Sequence, residues 1–208
     1  LYKNEQANGT RSSQTEQQLE NLLAYYQAGR LADAEQLAIF LTKEVPNHAL
    51  AWKVLGAVLG QLGRNSEALD ANRTAVALSG RDAEAHNNLG ITLEKLDRFD
   101  EAEASYRRAI AVEPDYAETH NSLGNTLQKL ERLDEAEASY KRAVELNPKL
   151  FLAHNNLGIT LQKLSRMEEA ETSFKQAIKL KPDYAQARYN LGITLKELRR
   201  LDEAEASF

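Results

Sequence analysis

Every proline of the chain stands on one lattice of 34-residue steps: Pro46, Pro114, Pro148 and Pro182, with Gly80 in the vacant place. Gly56, Gly90, Gly124, Gly158 and Gly192 form a second lattice with the same step, and Ala34, Ala68, Ala102, Ala136, Ala170 and Ala204 a third. The phrase HNNLGIT at 86–92 returns unchanged at 154–160, with HNSLGNT at 120–126 and RYNLGIT at 188–194. A fixed period of this length constrains the fold more than any other feature. It marks stacked units, each unable to bury its own apolar face without a neighbour.

Each period reads as two helices. In the unit from Ala117, Leu123, Thr126, Leu127 and Leu130 recur at i, i+3, i+4 and i+7, one face of an α-helix. Glu131 and Arg132 turn the chain, and a second apolar face follows with Leu133, Ala136, Tyr140, Ala143, Val144 and Leu146. Pro148 then stops the helix, because it has no amide hydrogen and clashes with the preceding turn. No useful stretch alternates with period two, so the expected class is all-α.

The residues Trp52…Leu55-Gly56…Ala68…Ala75, and Leu89-Gly90…Ala102…Tyr106…Ala109…Pro114 in a later unit, resemble the tetratricopeptide repeat (TPR). The resemblance implies a right-handed superhelical solenoid of antiparallel helix pairs. Units fall at 15–48, 49–82, 83–116, 117–150 and 151–184, with a partial unit at 185–208, after a flexible segment or linker at 1–14. The first unit departs most, with Leu22 in the glycine place and Gln18 before it; Asn72 and Gly80 make the second irregular.

Composition removes several functions. The net charge is −5, from 26 basic and 31 acidic residues mixed along the chain. That gives neither a basic face for nucleic acid nor a polybasic segment for a membrane surface. Cysteine is absent, so no disulfide, thiolate metal site or cysteine nucleophile can form. No apolar run reaches the roughly 20 residues that span a bilayer, and the first residues lack a signal-peptide pattern. A cytoplasmic protein without membrane insertion is expected. Without an initiator methionine the sequence reads as a trimmed piece of a longer chain; Asn8-Gly9-Thr10 fits a glycosylation sequon.

Mid-helix glycine costs roughly 1 kcal/mol relative to alanine, so the glycine lattice needs a packing reason: close approach of the second helix, with the alanine lattice facing it. His86, His120 and His154 invite a metal reading. Packed helices lie roughly 8–10 Å apart and zinc needs its ligands at about 2.0–2.1 Å, so the three cannot share an ion. Trp52 and Arg188 hold the equivalent places, which points to packing by the body of the side chain. Ser105, Ser139 and Ser173 lack a nucleophile elbow, and no glycine cluster forms a nucleotide loop. Glu101, Glu103, Glu135 and Glu137 read as solvated rows. No enzyme, metal or cofactor is expected in this segment; a catalytic domain would have to lie beyond residue 208.

Asparagine is worse than alanine by roughly 0.7 kcal/mol inside a helix, yet Asn87, Asn88, Asn121, Asn155, Asn156 and Asn190 crowd the side of the first helices expected to be exposed, with Asn125 nearby. Something must compensate. An amide offers both a donor and an acceptor, so a column of them suits the backbone of an extended peptide. The pattern is similar to the asparagine ladder of O-linked N-acetylglucosamine transferases, and that resemblance falls on Asn88, Asn156 and Asn190, with Ser122 breaking the row and Val54 ending it. The expected groove comprises Asn87, Asn88, Asn121, Ser122, Asn125, Asn155, Asn156, Tyr189 and Asn190. The expected function is an interaction scaffold that takes a peptide or protein segment in its concave groove. The rival is the substrate-recruiting arm of a larger enzyme, such as a glycosyltransferase of the type just named. Bonds from these amides to neighbouring helices are the structural alternative. The basic clamp that TPR proteins use for chaperone tails is not reproduced, although Lys53, Lys95, Lys129, Lys163 and Lys196 favour acidic ligands. Leu195, Leu198, Ala204 and Phe208, lacking a following unit, are expected to promote self-association.

Overall fold

The computed structural model describes residues 2–205, with side chains from Ser13 to Glu205. Phe208 of the expected self-association surface, and the side chains of Asn8 and Thr10, therefore lie outside the described residues. Among those described there are twelve α-helices and no strand. The chain divides into two compact units, Leu1–Arg98 and Phe99–Phe208. The first contains α1 (Tyr2–Gln27), α2 (Leu31–Glu44), α3 (Ala49–Gln61), α4 (Asn65–Leu78) and α5 (Ala83–Lys95). The second contains α6 (Phe99–Val112), α7 (Ala117–Lys129), α8 (Leu133–Leu146), α9 (Phe151–Lys163), α10 (Met167–Leu180), α11 (Ala185–Glu197) and α12 (Leu201–Glu205). Within each unit every helix packs on the next in sequence. Helix starts at Ala49, Ala83, Ala117, Phe151 and Ala185 coincide with the starts of the repeat units, while α1 begins at Tyr2 and includes residues 2–14 of the expected linker.

One turn joins the two helices of each hairpin. After α7, Glu131 takes φ +60°, Arg132 N–H donates to Leu127 O at 2.9 Å and Glu131 N–H to Gln128 O at 3.2 Å. These are the two bonds of a Schellman cap, which satisfies carbonyls that the helix end leaves open. Gly29 and Gly63 hold this left-handed place in the first two hairpins, and Asp97, Glu131, Ser165 and Arg199 hold it later. A side chain there meets the following carbonyl, at roughly 1–2 kcal/mol. Glu131→Gly is therefore expected to stabilise the protein by about 1 kcal/mol after allowance for glycine's extra freedom in the unfolded chain. Thermal unfolding should show a rise of about 2–4 °C; a fall would contradict the strain argument.

Gly124 and Gly158 answer to aromatic rings, not to the alanines expected opposite the glycine lattice. A Cβ built on Gly124 would lie 2.6 Å from Cε1 of Tyr140, and one on Gly158 equally close to Cε1 of Phe174. Both rings are fully buried. A Cβ built on Gly56 would instead run into the side-chain amide of Asn72, its Oδ1 nearest. Asn72 stands where later hairpins carry a ring; its Nδ2 donates to Thr92 Oγ1 at 2.9 Å, and its buried Oδ1 has no partner. The alanines, Ala68, Ala136 and Ala170 among them, are fully buried in the core.

The histidine lattice is settled by its donors. Nε2 of His86, His120 and His154 lies 3.1, 2.8 and 3.0 Å from the carbonyls of Gly80, Pro114 and Pro148. Nε1 of Trp52 reaches Pro46 O at 2.7 Å and Nε of Arg188 reaches Pro182 O at 2.9 Å. A carbonyl can only accept, so each histidine carries its proton on Nε2. What these unlike residues share is a planar N–H six residues after the helix-breaking position. The donor is conserved along the chain's own repeats, which corrects the emphasis on side-chain bulk.

The acidic rows also need correction. Glu103 and Glu137 are buried rather than solvated. Arg132 spans Glu103 of the preceding hairpin (2.7 Å) and Glu135 one turn ahead (2.6 Å). Arg166 does the same with Glu137 and Glu169, both at 2.6 Å, and Arg200 with Glu171 (2.7 Å) and Glu203 (2.6 Å). Arg64 pairs with Glu35 and Glu67 in the first unit. The bidentate guanidinium fork suits such bridging, and each arginine directly follows the left-handed turn residue that aims it.

Candidate functional site

In the second unit α7 touches α9 and α9 touches α11, whereas no such contact joins α8 to α10. The second helices of neighbouring hairpins are joined by side chains, Arg107 to Glu135 among them, but their backbones stand further apart than those of the first helices, so each stack curves toward its first helices. The first helices thus form the inner face, and in the first unit α1, α3 and α5 do the same while α2 and α4 stay apart. The asparagines belong to these inner helices, but not as a free column.

Asn87, Asn155 and Asn190, expected on the exposed side, are buried, with 6%, 2% and 7% of their surface accessible. Across the second unit the amides bond to one another. Gln186 Nε2 donates to Asn190 Oδ1 (3.0 Å), Asn190 Nδ2 to Asn155 Oδ1 (3.2 Å) and Asn155 Nδ2 to Asn156 Oδ1 (3.3 Å). Asn156 Nδ2 then donates to Asn121 Oδ1 (3.2 Å) and Asn125 Oδ1 (3.0 Å), and the latter also accepts from Tyr140 Oη at 2.8 Å. Gln162 adds bonds to Asn190 O and to Thr194 Oγ1, and Gln128 one to Thr160 Oγ1. At about 1 kcal/mol per net hydrogen bond, this mesh offsets the helix propensity that the asparagines forgo. The compensation demanded by the sequence is found, in large part, between neighbouring hairpins.

Other amides remain accessible. Asn121, Ser122, Asn125 and Asn156 are half-buried, and Tyr189 is 55% exposed. In the first unit the Asn88 side chain makes no hydrogen bond to the protein; only its backbone carbonyl is used. Asn88 borders a hollow of about 180 Å³ between α1, α3 and α5, walled by Leu23, Tyr26, Leu50, Val54 and Ala57. Lys53 and Glu84, also in its lining, are paired at 2.7 Å, and Lys53 holds Asp82 at 2.9 Å. That lysine is therefore committed within the protein and is not a spare cation for an acidic ligand. The sequence reading took Val54 as the end of an amide row; the structure makes it part of an apolar wall, for which the clue was a cluster of apolar residues on the inner positions of units one and two. A wider hollow of about 510 Å³ lies on α1 and α2, beside Tyr25 and Phe40. There Asn21 and Tyr25 hold the lattice places of Leu55 and Leu59, which are buried core residues.

Among the described residues no group of three or more His, Cys, Asp or Glu could hold a metal, and no helix is long and apolar enough to cross a membrane. Helical hairpins repeated every 34 residues define a solenoid repeat protein. The chain belongs to the tetratricopeptide repeat family, whose repeats match at residues 19–85, 81–149, 115–182 and 149–208. It is a scaffold of the protein-interaction type. No curated protein matches the sequence. Among solved structures, one described as a functional characterization of Pseudomonas aeruginosa pilF superposes with a TM-score of 0.84 at 19% identity, covering 95% of this chain and 90% of that one. PilW, described as a type IV pilus biogenesis factor, gives 0.81 at 23% identity over 92% and 90% of the two chains. YrrB, described as a TPR protein with an unusual peptide-binding site, gives 0.68 at 24% identity over 82% and 88%.

Proposed function

We propose that the protein binds an extended peptide segment of a partner along the inner faces of its hairpins. The observation that carries this reading is the hollow of the first unit, where an apolar wall stands beside the unspent amide of Asn88. An extended segment needs both: a pocket for a side chain, and amide groups for the main chain that flanks it. Leu23, Leu50 and Val54 would receive an apolar side chain of the ligand. Asn88 can give to or accept from the neighbouring peptide group. YrrB, a structural neighbour, is described as having a peptide-binding site. The rest of the amide mesh holds the inner face in shape, and so supports recognition without itself supplying most of the contacts.

The test uses peptides selected on the intact protein from a random-peptide display library, with affinity measured by fluorescence anisotropy. Ala57→Glu places a charge in the hollow, and is expected to weaken binding at least about tenfold, since an ionised carboxylate is costly on an apolar wall. Ala138→Lys, on the exposed side of α8, should leave it unchanged. The reading fails if the library returns no binder, or if the change at Ala138 matters and the one at Ala57 does not.

A further inference from the structure

The wider hollow, of about 510 Å³, is lined by α1 and α2 alone, and its residues are inverted against the rest of the array. On α1, Asn21 and Tyr25 stand where the later hairpins carry leucine at both places. On α2, Leu37 stands where those hairpins carry alanine or serine, and Phe40 where they carry Thr74, Arg108, Arg142 and Gln176. A terminal face made only to meet water needs the first exchange and not the second. It gains nothing from a ring that is 45% exposed. A hairpin packed here as hairpins pack elsewhere would bury amides in the places of leucine and leave them without partners. The face is therefore built for something that is neither water nor a further hairpin of this repeat.

The amides around it are unspent. Gln18 and Asn21 on α1 and Gln36 on α2 have no hydrogen-bond partner among the described residues. Asp33 is the one charged residue in the lining, and Arg30 balances it at 2.8 Å through Oδ2, with Oδ1 left open. The same guanidinium covers a face of Tyr25, 4.3 Å from the ring centre, so Phe40 is the ring that a ligand can meet. A ligand that fits is electrically neutral, carries several groups that both donate and accept, and has an apolar face.

We propose that this hollow binds a neutral saccharide, with a pyranose ring lying on Phe40 and its hydroxyls held by Gln18, Asn21, Gln36 and Asp33. Each sugar hydroxyl is a donor and an acceptor at once, and so is each amide. The C–H groups on one side of the sugar meet the electron-rich face of the phenylalanine. An extended peptide suits the hollow less well, since its main-chain groups follow one line while these amides come from two helices. A partner helix has its main-chain groups paired already and would leave the amides idle. The volume lies within the range of small-molecule sites, about 300–1,000 Å³. The site is separate from the inner-face hollow of Leu50 and Val54, and does not depend on the peptide-binding reading.

The test titrates the native protein with glucose, mannose, maltotriose and mannotriose, and follows side-chain NH₂ and phenylalanine ring signals by NMR. Those of Gln18, Asn21, Gln36 and Phe40 should shift saturably with at least one of these sugars, and those of Asn155 and Asn190 should stay in place. A trisaccharide that binds where its monosaccharide does not identifies a chain of sugars as the ligand; equal binding of both identifies the free sugar. Phe40→Ala removes the stacking ring, and Asn21→Leu restores the residue of the later hairpins, so neither threatens the fold. Each is expected to weaken binding about fivefold or more, while Ala138→Lys leaves it unchanged. Signals that no sugar of the panel moves overturn the proposal, as do two variants that bind like the native protein. It is equally overturned if a second copy fills the hollow, which sedimentation would show as a dimer that Phe40→Ala splits and the sugars do not.

Discussion

Gly158→Leu is expected to cost about 3 kcal/mol or more, the upper end of what overpacking does to a filled core. The branched side chain would begin 2.6 Å from Cε1 of Phe174 and 2.8 Å from both Cδ1 and Cζ. That ring has no exposed surface and cannot swing into water. Alanine at the same place meets the same ring but recovers roughly 1 kcal/mol of helix propensity, so it should cost less. Phe174→Leu in the alanine background should return part of the loss, since a smaller partner vacates the contested space. The coupling is read from a double-mutant cycle in urea. Additive losses would mean that the glycine serves something other than the ring.

Acid is expected to destabilise the protein as pH falls below the ordinary carboxylate values. Arg64, Arg132, Arg166 and Arg200 hold Glu67, Glu135, Glu169 and Glu203 below the usual glutamate value of 4.5 through paired hydrogen bonds. For Glu137 and Glu171 burial pushes upward, but a lysine one turn on and the arginine of the next hairpin outweigh it and the net displacement is downward. Asp82 follows the same balance, with burial opposed by Lys53 and the Ala85 amide. For a carboxyl lowered on folding, the unfolded chain binds more protons between the two values. Stability is thus complete above about pH 4.5 and drains away as pH falls through the folded values. Thermal scans should be level from pH 7 to about 5.5, and the melting temperature should then fall steadily as pH drops below about 4.5. Arg166→Met should shallow that slope, because Glu137 and Glu169 lose a shared partner. A slope identical to that of the native protein would exclude the arginine bridges as its source.

Much of this architecture was legible in spacing. The unit starts from Ala49 onward, the helix pairs and the breaks at the prolines follow from period and apolar phase. The period also carried an arginine lattice, Arg30, Arg64, Arg98, Arg132, Arg166 and Arg200, which the sequence reading passed over. Its meaning depended on a glutamate 29 residues earlier being drawn under the next hairpin, and no helical wheel shows a contact between different helices. The asparagines failed for a related reason. Their cost within a helix was computable, but whether a ligand or a neighbouring hairpin offsets it depends on how closely first helices approach. The approach is close enough for Asn190 to reach Asn155 across 35 positions of sequence. The hollow around Val54 arises from residues of separate helices with no shared motif.

The ties between hairpins are written as fixed offsets: an arginine to a glutamate 29 places back, a planar N–H to a carbonyl six back, a left-handed corner one place before each arginine. Inserting one whole period among the hairpins of the second unit leaves every such offset intact, since an equivalent residue slides into each vacated role; the place 29 before Arg98 holds Leu69, so the glutamate tie is missing there. Any other change in length breaks all of them at the point of insertion. The array is therefore free to grow or shrink in quanta of 34, and its length can be tuned to a partner without redesigning a single joint.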